Sequence, residues 1–438
     1  MLQRLTYLGV TAVWLWGLFG WGSGGHASHP NLIVILIDTL RPDHLGAYGY
    51  ARPTSPAIDE IAASGLLFER AYSTAPWTNP TIATLFTGYY PQELFPVLPH
   101  RLAIHQALPL AVDTLAERLH GAGYRTVALV DHPGIGPGLH FDQGFESFHR
   151  LFQEAGVPAW GITDTGFVFE QVDRQLASTS SPFFLYLHLV YPHRPYAAPA
   201  DYQQMFGPRF TRLGPKQRDG VINAYDAEIR YTDDLIGRIV AALRQRGLWE
   251  KSWVVILSDH GEGFWEHGFA EHGNTLFDEL LHVPLILHPP AARGLAARGL
   301  APQRITRPVS LVDFWPTMLD LAQIELPDAL GARSLIRDGS EHPIFSESKH
   351  SRDLSERSVR SRGFKYIGDL QRGTLFDLQA DPGESSPLPD RPELRAEFVA
   401  LLRQHEETAQ ASRRHWGGNV RPVDEGTLQR LRALGYDD

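Results

Sequence analysis

The sequence predicts an α/β fold. It has a largely parallel central sheet with helices on both faces, followed by a small α+β C-terminal subdomain with a short antiparallel sheet. Three observations predict it. Largely apolar runs recur at residues 31–37, 126–130, 183–189, 253–257 and 283–287, the first of them β-branched and unbroken after Asn31, the pattern of strands buried on both faces. Amphipathic helical stretches separate them, as parallel strands require. From about Ser346 the apolar runs shorten and cluster.

Taken in order, the chain opens with Arg4 and an apolar run over residues 5–21, interrupted by Gly9, Gly17 and Gly20. Gly25-His26-Ala27 is a small-x-small cleavage site, so residues 1–27 read as an export signal that leaves a terminus at Ser28. The alternative is a retained anchor, because the run approaches spanning length. Either reading places the mature protein in the periplasm or outside the cell. Residues 28–345 form the expected catalytic domain and 346–438 the C-terminal subdomain.

The first strand, 31–37, ends in Asp38. Residues 55–65 form a short helix with Ile58, Ile61 and Ala62 on one face. Next comes Ala75-Pro76-Trp77-Thr78-Asn79-Pro80-Thr81, where Thr78 or Asn79 is placed as helix N-cap and Pro80 at the first helical position. A helix over 112–123 precedes the strand 126–130. The glycine-rich stretch 134–144 lacks the strand–GxGxxG–helix context and reads as loop.

The strand 183–189 leads to Pro192-His193-Arg194-Pro195. The helix over 220–246 is apolar at Ile222, Ile229, Ile236, Ile239 and Leu243, with Asp226, Asp233 and Asp234 as a solvated or helix-bracing face. The strands 253–257 and 283–287 follow, and 289–302 is a surface loop. In the C-terminal part, 359–367 and 374–376 read as antiparallel strands, 392–404 as a helix, 412–426 as linker and 427–434 as a last helix.

Composition narrows the function. The chain has 438 residues, 43% hydrophobic and 21% charged, with a formal charge of −10 and no basic block. That argues against a nucleic-acid partner. There is no cysteine. Disulfides, thiolate metal sites, a cysteine nucleophile and a lipid-modified N-terminal cysteine are excluded.

Ligands of doubly wound sheets gather outside the carboxyl ends of the strands. Asp38, Asp259 and His260 all fall at such ends. Two carboxylates, an imidazole and the Thr78 hydroxyl make an oxygen and nitrogen site for one divalent metal. Calcium prefers all-oxygen ligands, so the histidine favours Zn or Mn. A hydroxyl beside such a metal becomes nucleophilic. Two Glu-His-Gly triplets, ending in Gly268 and Gly273, follow five residues apart. His193, between two prolines, reads either as turn filler or as a donor to substrate or leaving group.

These residues carry a resemblance. Asp38-Thr39-Leu40-Arg41-x-Asp43-His44-Leu45-Gly46-x-Tyr48-Gly49, Pro192-His193-x-Pro195-Tyr196 and Ser258-Asp259-His260-Gly261-Glu262 resemble the sulfatase family of the alkaline phosphatase superfamily. So do His272-Gly273-x-Thr275-Leu276 and Leu375-Phe376-Asp377-Leu378-x-Ala380-Asp381-Pro382-Gly383-Glu384. The resemblance implies an alkaline-phosphatase-like core and metal-dependent hydrolysis of sulfate or phosphate-type esters. It places Asp38, Asp259 and His260 on metal ligands, Thr78 on the nucleophile, and His193 and His272 on substrate-contacting, catalytic positions. His267 is close by and less securely matched.

There are departures. The family oxidises a Cys or Ser in Cys/Ser-x-Pro-x-Arg to formylglycine, whereas this chain reads Thr78-Asn79-Pro80-Thr81-Ile82. Threonine cannot give that aldehyde, because its β-carbon carries a methyl. Thr39 stands where a second acid is usual. Val130-Asp131-His132-Pro133 stands where a sulfate-binding lysine is usual, unless His132 substitutes. An unmodified threonine is similar to phosphodiesterase and phosphoethanolamine-transferase branches of the superfamily.

Three functions compete. The first is a hydrolase with unmodified Thr78, acting on an anionic ester of a small molecule, glycan or lipid headgroup. The second is a membrane-surface phospho-group transferase, which a retained anchor would favour. The third is a non-catalytic descendant that binds an anionic ligand. The membrane enters only through an uncleaved N-terminal segment.

Overall fold

Strand formation follows the apolar runs, and it is described by a computed structural model of residues 29–95, 107–158, 163–291, 295–327, 331–337, 339–348 and 356–415. The expected export segment 1–27, the linker beyond residue 415 and the helix 427–434 lie outside the described residues.

The strands are β1 (Asn31–Ile37), β2 (Leu66–Tyr72), β3 (Arg125–Val130), β4 (Ser147–Arg150), β5 (Phe183–Leu189), β6 (Ser252–Leu257), β7 (Gly263–Phe264), β8 (Ala270–Glu271), β9 (His282–His288), β10 (Gln303–Ile305), β11 (Val309–Ser310), β12 (Ile344–Glu347), β13 (Arg357–Ser361), β14 (Phe364–Gly368) and β15 (Gly373–Asp377).

Among the described residues, the main sheet has nine strands in the order β10-β2-β9-β6-β1-β5-β3-β4, with β11 beside β2. All pairings are parallel except those of β9, which runs against β2 and β6. The 283–287 run is therefore a strand as expected, but the one reversed strand of a parallel sheet. Side-chain alternation divides β1 between two apolar layers. Leu32, Val34 and Leu36 face Ile82, Phe86 and Trp315, whereas Ile33, Ile35 and Ile37 face Ile229, Ile236 and Ile239 of the long helix. Burial on both faces is why these strands read as unbroken hydrophobic runs.

On one face the helix Thr78–Thr87 packs with Phe314–Leu321 and Leu115–Gly121. On the other, Arg218–Gln245 packs with Pro56–Ala63, Thr165–Ser178 and Ala200–Phe206. The acids of the long helix brace it. Asp226 takes hydrogen bonds from Tyr50 and Arg52 and pairs with His44, and Asp233 accepts from the backbone N–H of Ala57 and Ile58 at 2.9 Å.

The C-terminal sheet is the antiparallel order β12-β13-β14-β15. The run 359–367 is a hairpin rather than one strand. Arg362 and Gly363 turn it at φ 48° and 82°, as a two-residue turn requires. Its helix, Pro392–His415, outruns the expected 392–404 and packs Phe398 and Leu402 on Val359, Tyr366 and Leu375.

Candidate active site

β1, β5, β3 and β6 lie side by side and carry polar residues at or just beyond their carboxyl ends. Asp38 follows β1, and its N–H donates to Leu189 O at 2.9 Å, so the chain leaves the sheet at a fixed point. Thr39 then turns at φ 56°, an uncommon conformation for a β-branched residue. Ser258, after β6, accepts from Leu40 N at 2.9 Å and donates to His260 O at 2.8 Å, which ties the two strand ends together.

Asp259 Oδ1 accepts from His260 N at 3.0 Å, and its Oδ2 has no hydrogen-bond partner. His260 Nδ1 donates to Gly261 O at 2.9 Å. Its Nε2 therefore carries no proton in the neutral ring.

Thr78 opens the helix Thr78–Thr87. Trp77 is the N-cap in extended conformation and offers no side-chain cap. This corrects the expected cap at Thr78 or Asn79 and moves Pro80 from the first helical position to the third. Freed from capping, Thr78 Oγ1 lies 3.2 Å from His260 Nε2. Hydroxyls brace the approach to the helix. Ser73 Oγ and Thr81 Oγ1 are 3.0 Å apart, and Thr81 Oγ1 donates to Trp77 O at 3.1 Å.

The geometry suits a divalent cation. His260 Nε2 lies 3.5 Å from Asp38 Oδ1 and 3.4 Å from Asp259 Oδ2. All three residues are fully buried, and both Asp38 oxygens lack a hydrogen-bond partner. Adjacent donor atoms on one ion at bond lengths of about 2.1 Å lie about 3.0–3.4 Å apart. A bare nitrogen and orphaned carboxylate oxygens at that spacing repel unless positive charge sits among them. Burial, followed by the charges of Asp259 and Glu262, pushes the Asp38 carboxyl well above its usual range. Burial likewise pushes His260 well below the usual histidine value. Without a cation, burial therefore favours the neutral forms of both groups, the protonated Asp38 carboxyl and the unprotonated His260 ring.

The structure brings His188 and His132 to the same place, although the sequence reading gave neither a ligand role. His188 Nε2 and His132 Nε2 lie 3.8 and 3.6 Å from Asp38 Oδ2. One donor atom each from Asp38, His188 and Asp259 falls within 4.8 Å of the others. The signal for His188 was a lone histidine inside the apolar run Phe-Phe-Leu-Tyr-Leu-His-Leu.

His193 and His272 stand on the open side, with ring centroids 4.9 Å apart and His272 4.5 Å from His260. Glu262 is the residue beneath them. Its Oε1 accepts from His272 Nδ1 at 3.0 Å and its Oε2 from Tyr196 OH at 2.7 Å. Burial pulls His272 down, but the Glu262 charge and hydrogen bond outweigh it and raise the histidine. Burial pushes His193 down to about 4.

His267 is not part of the cluster. Its ring bonds Glu279 at 2.8 Å and stacks on Phe277 with centroids 3.6 Å apart.

Known proteins resemble the chain along most of its length. The family model described as Sulfatase matches residues 30–324. The uncharacterized sulfatase YidJ of Escherichia coli (strain K12) is 25% identical, over 93% of this chain and 94% of that protein. Arylsulfatase K of Bos taurus is 26% identical, over 85% and 81%. A crystal structure of the phosphonate monoester hydrolase of Agrobacterium radiobacter shares the fold, with TM-score 0.71 and 21% identity over 87% of this chain and 96% of that one.

Proposed function

Because the chain belongs to the sulfatase family, we propose that it hydrolyses sulfate or phosphate-type esters with the unmodified side-chain oxygen of Thr78 as nucleophile. One observation carries the reading: Thr78 Oγ1 lies 3.2 Å from the bare nitrogen of His260, where Asp38 and Asp259 converge.

Asp38, Asp259 and His260, with Thr78, would hold one divalent metal, Zn or Mn before Ca. Such an ion lowers the pKa of a neighbouring hydroxyl and offsets negative charge on the ester oxygens. The residues do the rest. Thr78 sits at the N-terminus of a ten-residue helix with no side-chain cap, and the positive end of a helix attracts an anionic group. The Thr78 hydroxyl gives up its proton to solvent water as its oxygen attacks the sulfur or phosphorus, and the ester oxygen leaves with a proton from His272, whose protonated form the Glu262 charge favours. His193 lies beside that exit path. Water then cleaves the Thr78 ester, releasing sulfate or phosphate, restoring the hydroxyl and returning a proton to His272.

The substrate is an anionic ester on a small molecule, glycan or lipid headgroup. The signal-like residues 1–27 support export.

Thr78→Ala is expected to lower kcat/KM by on the order of 10⁴ or more, as loss of a covalent nucleophile does. Thr78→Ser keeps the hydroxyl and is expected to retain most of the rate. The assay is a panel of nitrophenyl sulfate, phosphate, phosphodiester and phosphonate esters, with acid quench to trap a modified Thr78. Near wild-type turnover by Thr78→Ala on its best substrate would refute the assignment.

A further inference from the structure

We propose that His188 is a ligand of the metal: its Nε2 completes a set of two carboxylates and two imidazoles drawn from three adjacent strands. The inference rests on the metal reading above and adds a residue that the family pattern did not supply.

β5 lies directly beside β1, with His188 paired in register to Leu36, two residues before Asp38. A side chain at the carboxyl end of β5 therefore meets the carboxylate at the end of β1. His188 is fully buried, and its Nε2 has no hydrogen-bond partner. It faces Asp38 Oδ2 at 3.8 Å, while Asp38 Oδ1 faces His260 at 3.5 Å. A gap of 3.8 Å exceeds a hydrogen bond, which spans about 2.7–3.2 Å. It falls within the about 3.0–4.2 Å that separates two ligands of one ion, adjacent to opposite, at bond lengths of about 2.1 Å.

The other ring nitrogen agrees. His188 Nδ1 is 3.0 Å from the Tyr186 hydroxyl, which can accept its proton and leave Nε2 bare. Histidine ligands usually spend the far N–H on such a partner. His132 differs. Its Nδ1 accepts the Gly134 N–H at 3.1 Å, so the neutral ring carries its proton on Nε2 and cannot ligate through that atom.

Thr39 follows Asp38 with an uncharged side chain, so β1 supplies a single carboxylate. A second imidazole from β5 raises the ligand count without adding negative charge. Two nitrogens also shift the site toward zinc, manganese or cobalt and away from calcium.

The test uses the full chain, stripped with chelator and reloaded with Mn²⁺ or Zn²⁺. Electron spin-echo modulation of the Mn²⁺ form counts bound nitrogens, and competition with a chromophoric chelator gives the Zn²⁺ Kd. Two nitrogens are expected in wild type and His132→Gln, and one in His188→Gln, with Zn²⁺ affinity at least tenfold weaker in the latter. If His188→Gln does not fold, Tyr186→Phe stands in: it keeps the imidazole, removes the Nδ1 partner and should alter one nitrogen coupling only. A single nitrogen in wild type, or an unchanged spectrum and Kd in His188→Gln, overturns the proposal. None of these readings needs turnover. A protein with two bound nitrogens and no esterase activity keeps this assignment and sinks the hydrolase reading. An active enzyme with one bound nitrogen does the reverse.

Discussion

Asp131, the neighbour of His132, is buried and accepts one hydrogen bond, from Thr163 Oγ1 at 2.6 Å. Burial pushes its carboxyl up to about 7, with the Thr163 bond opposing. The folded state therefore holds a proton that the unfolded chain gives up near the ordinary aspartate value of 3.8. Stability should fall as pH rises between those values, and the full cost of a few kcal/mol should be present above pH 7. Asp131→Asn keeps the Thr163 bond and removes the charge. It should melt above wild type at pH 8 and no higher at pH 5, as paired thermal unfolding curves would show; a constant offset at both would refute this. At this scale the sequence was informative where a side chain ends a strand. Asp38, Asp259 and His260 stood out because an acid or imidazole after an apolar run has few structural uses. His188 did not, because inside such a run it looks like core. The role proposed for it depends on which strand lies beside it, which no local pattern encodes.

Among the elements, β1, β5 and β6 matched their apolar runs because they are buried on both faces. β2 went unseen because Glu69 and Arg70 interrupt its run. They sit at a register shift between Phe68 and Ala71, where the strand can turn polar residues outward. The reversed direction of β9 was also illegible. The segment between β6 and β9 reads as loop in either topology, and only tertiary pairing decides it. The start of the Thr78 helix was misplaced because the sequence assigned a cap to the side chain whose neighbours pull it elsewhere. That helix start depends on Thr81, whose hydroxyl meets Ser73, Ala75 and Trp77. Thr81→Val removes those bonds at nearly constant volume. It should cost only about 1 kcal/mol of stability, yet lower kcat about tenfold or more by loosening Thr78. Steady-state kinetics beside a denaturation curve separate the two effects, and an unchanged kcat would show that the bracing is dispensable.

For the whole molecule, the C-terminal sheet is bonded to the catalytic region through charges and through backbone. The buried Lys365 reaches Asp278 Oδ1 at 2.8 Å and Glu384 Oε1 at 2.5 Å, and Arg360 pairs with Asp278. Lys365→Met would leave Glu384 buried without its cation. The expected loss is about 3–5 kcal/mol, read by urea denaturation, and a loss under about 1 kcal/mol would mean that water reaches the pair.

β12 also touches the loop that leads to Thr78. Ser346 Oγ donates to Ser73 O at 2.6 Å, Glu347 N donates to Thr74 O at 2.9 Å, and Gly273 N donates to Pro76 O at 2.9 Å. The Ser73–Ser346 contact closes a separation of 273 residues. At ribosomal rates of about 5–20 residues per second, the partner emerges roughly 14–55 seconds after the loop it fastens. The loop that leads to Thr78 is thus made early and fastened late, once the last quarter of the chain has emerged.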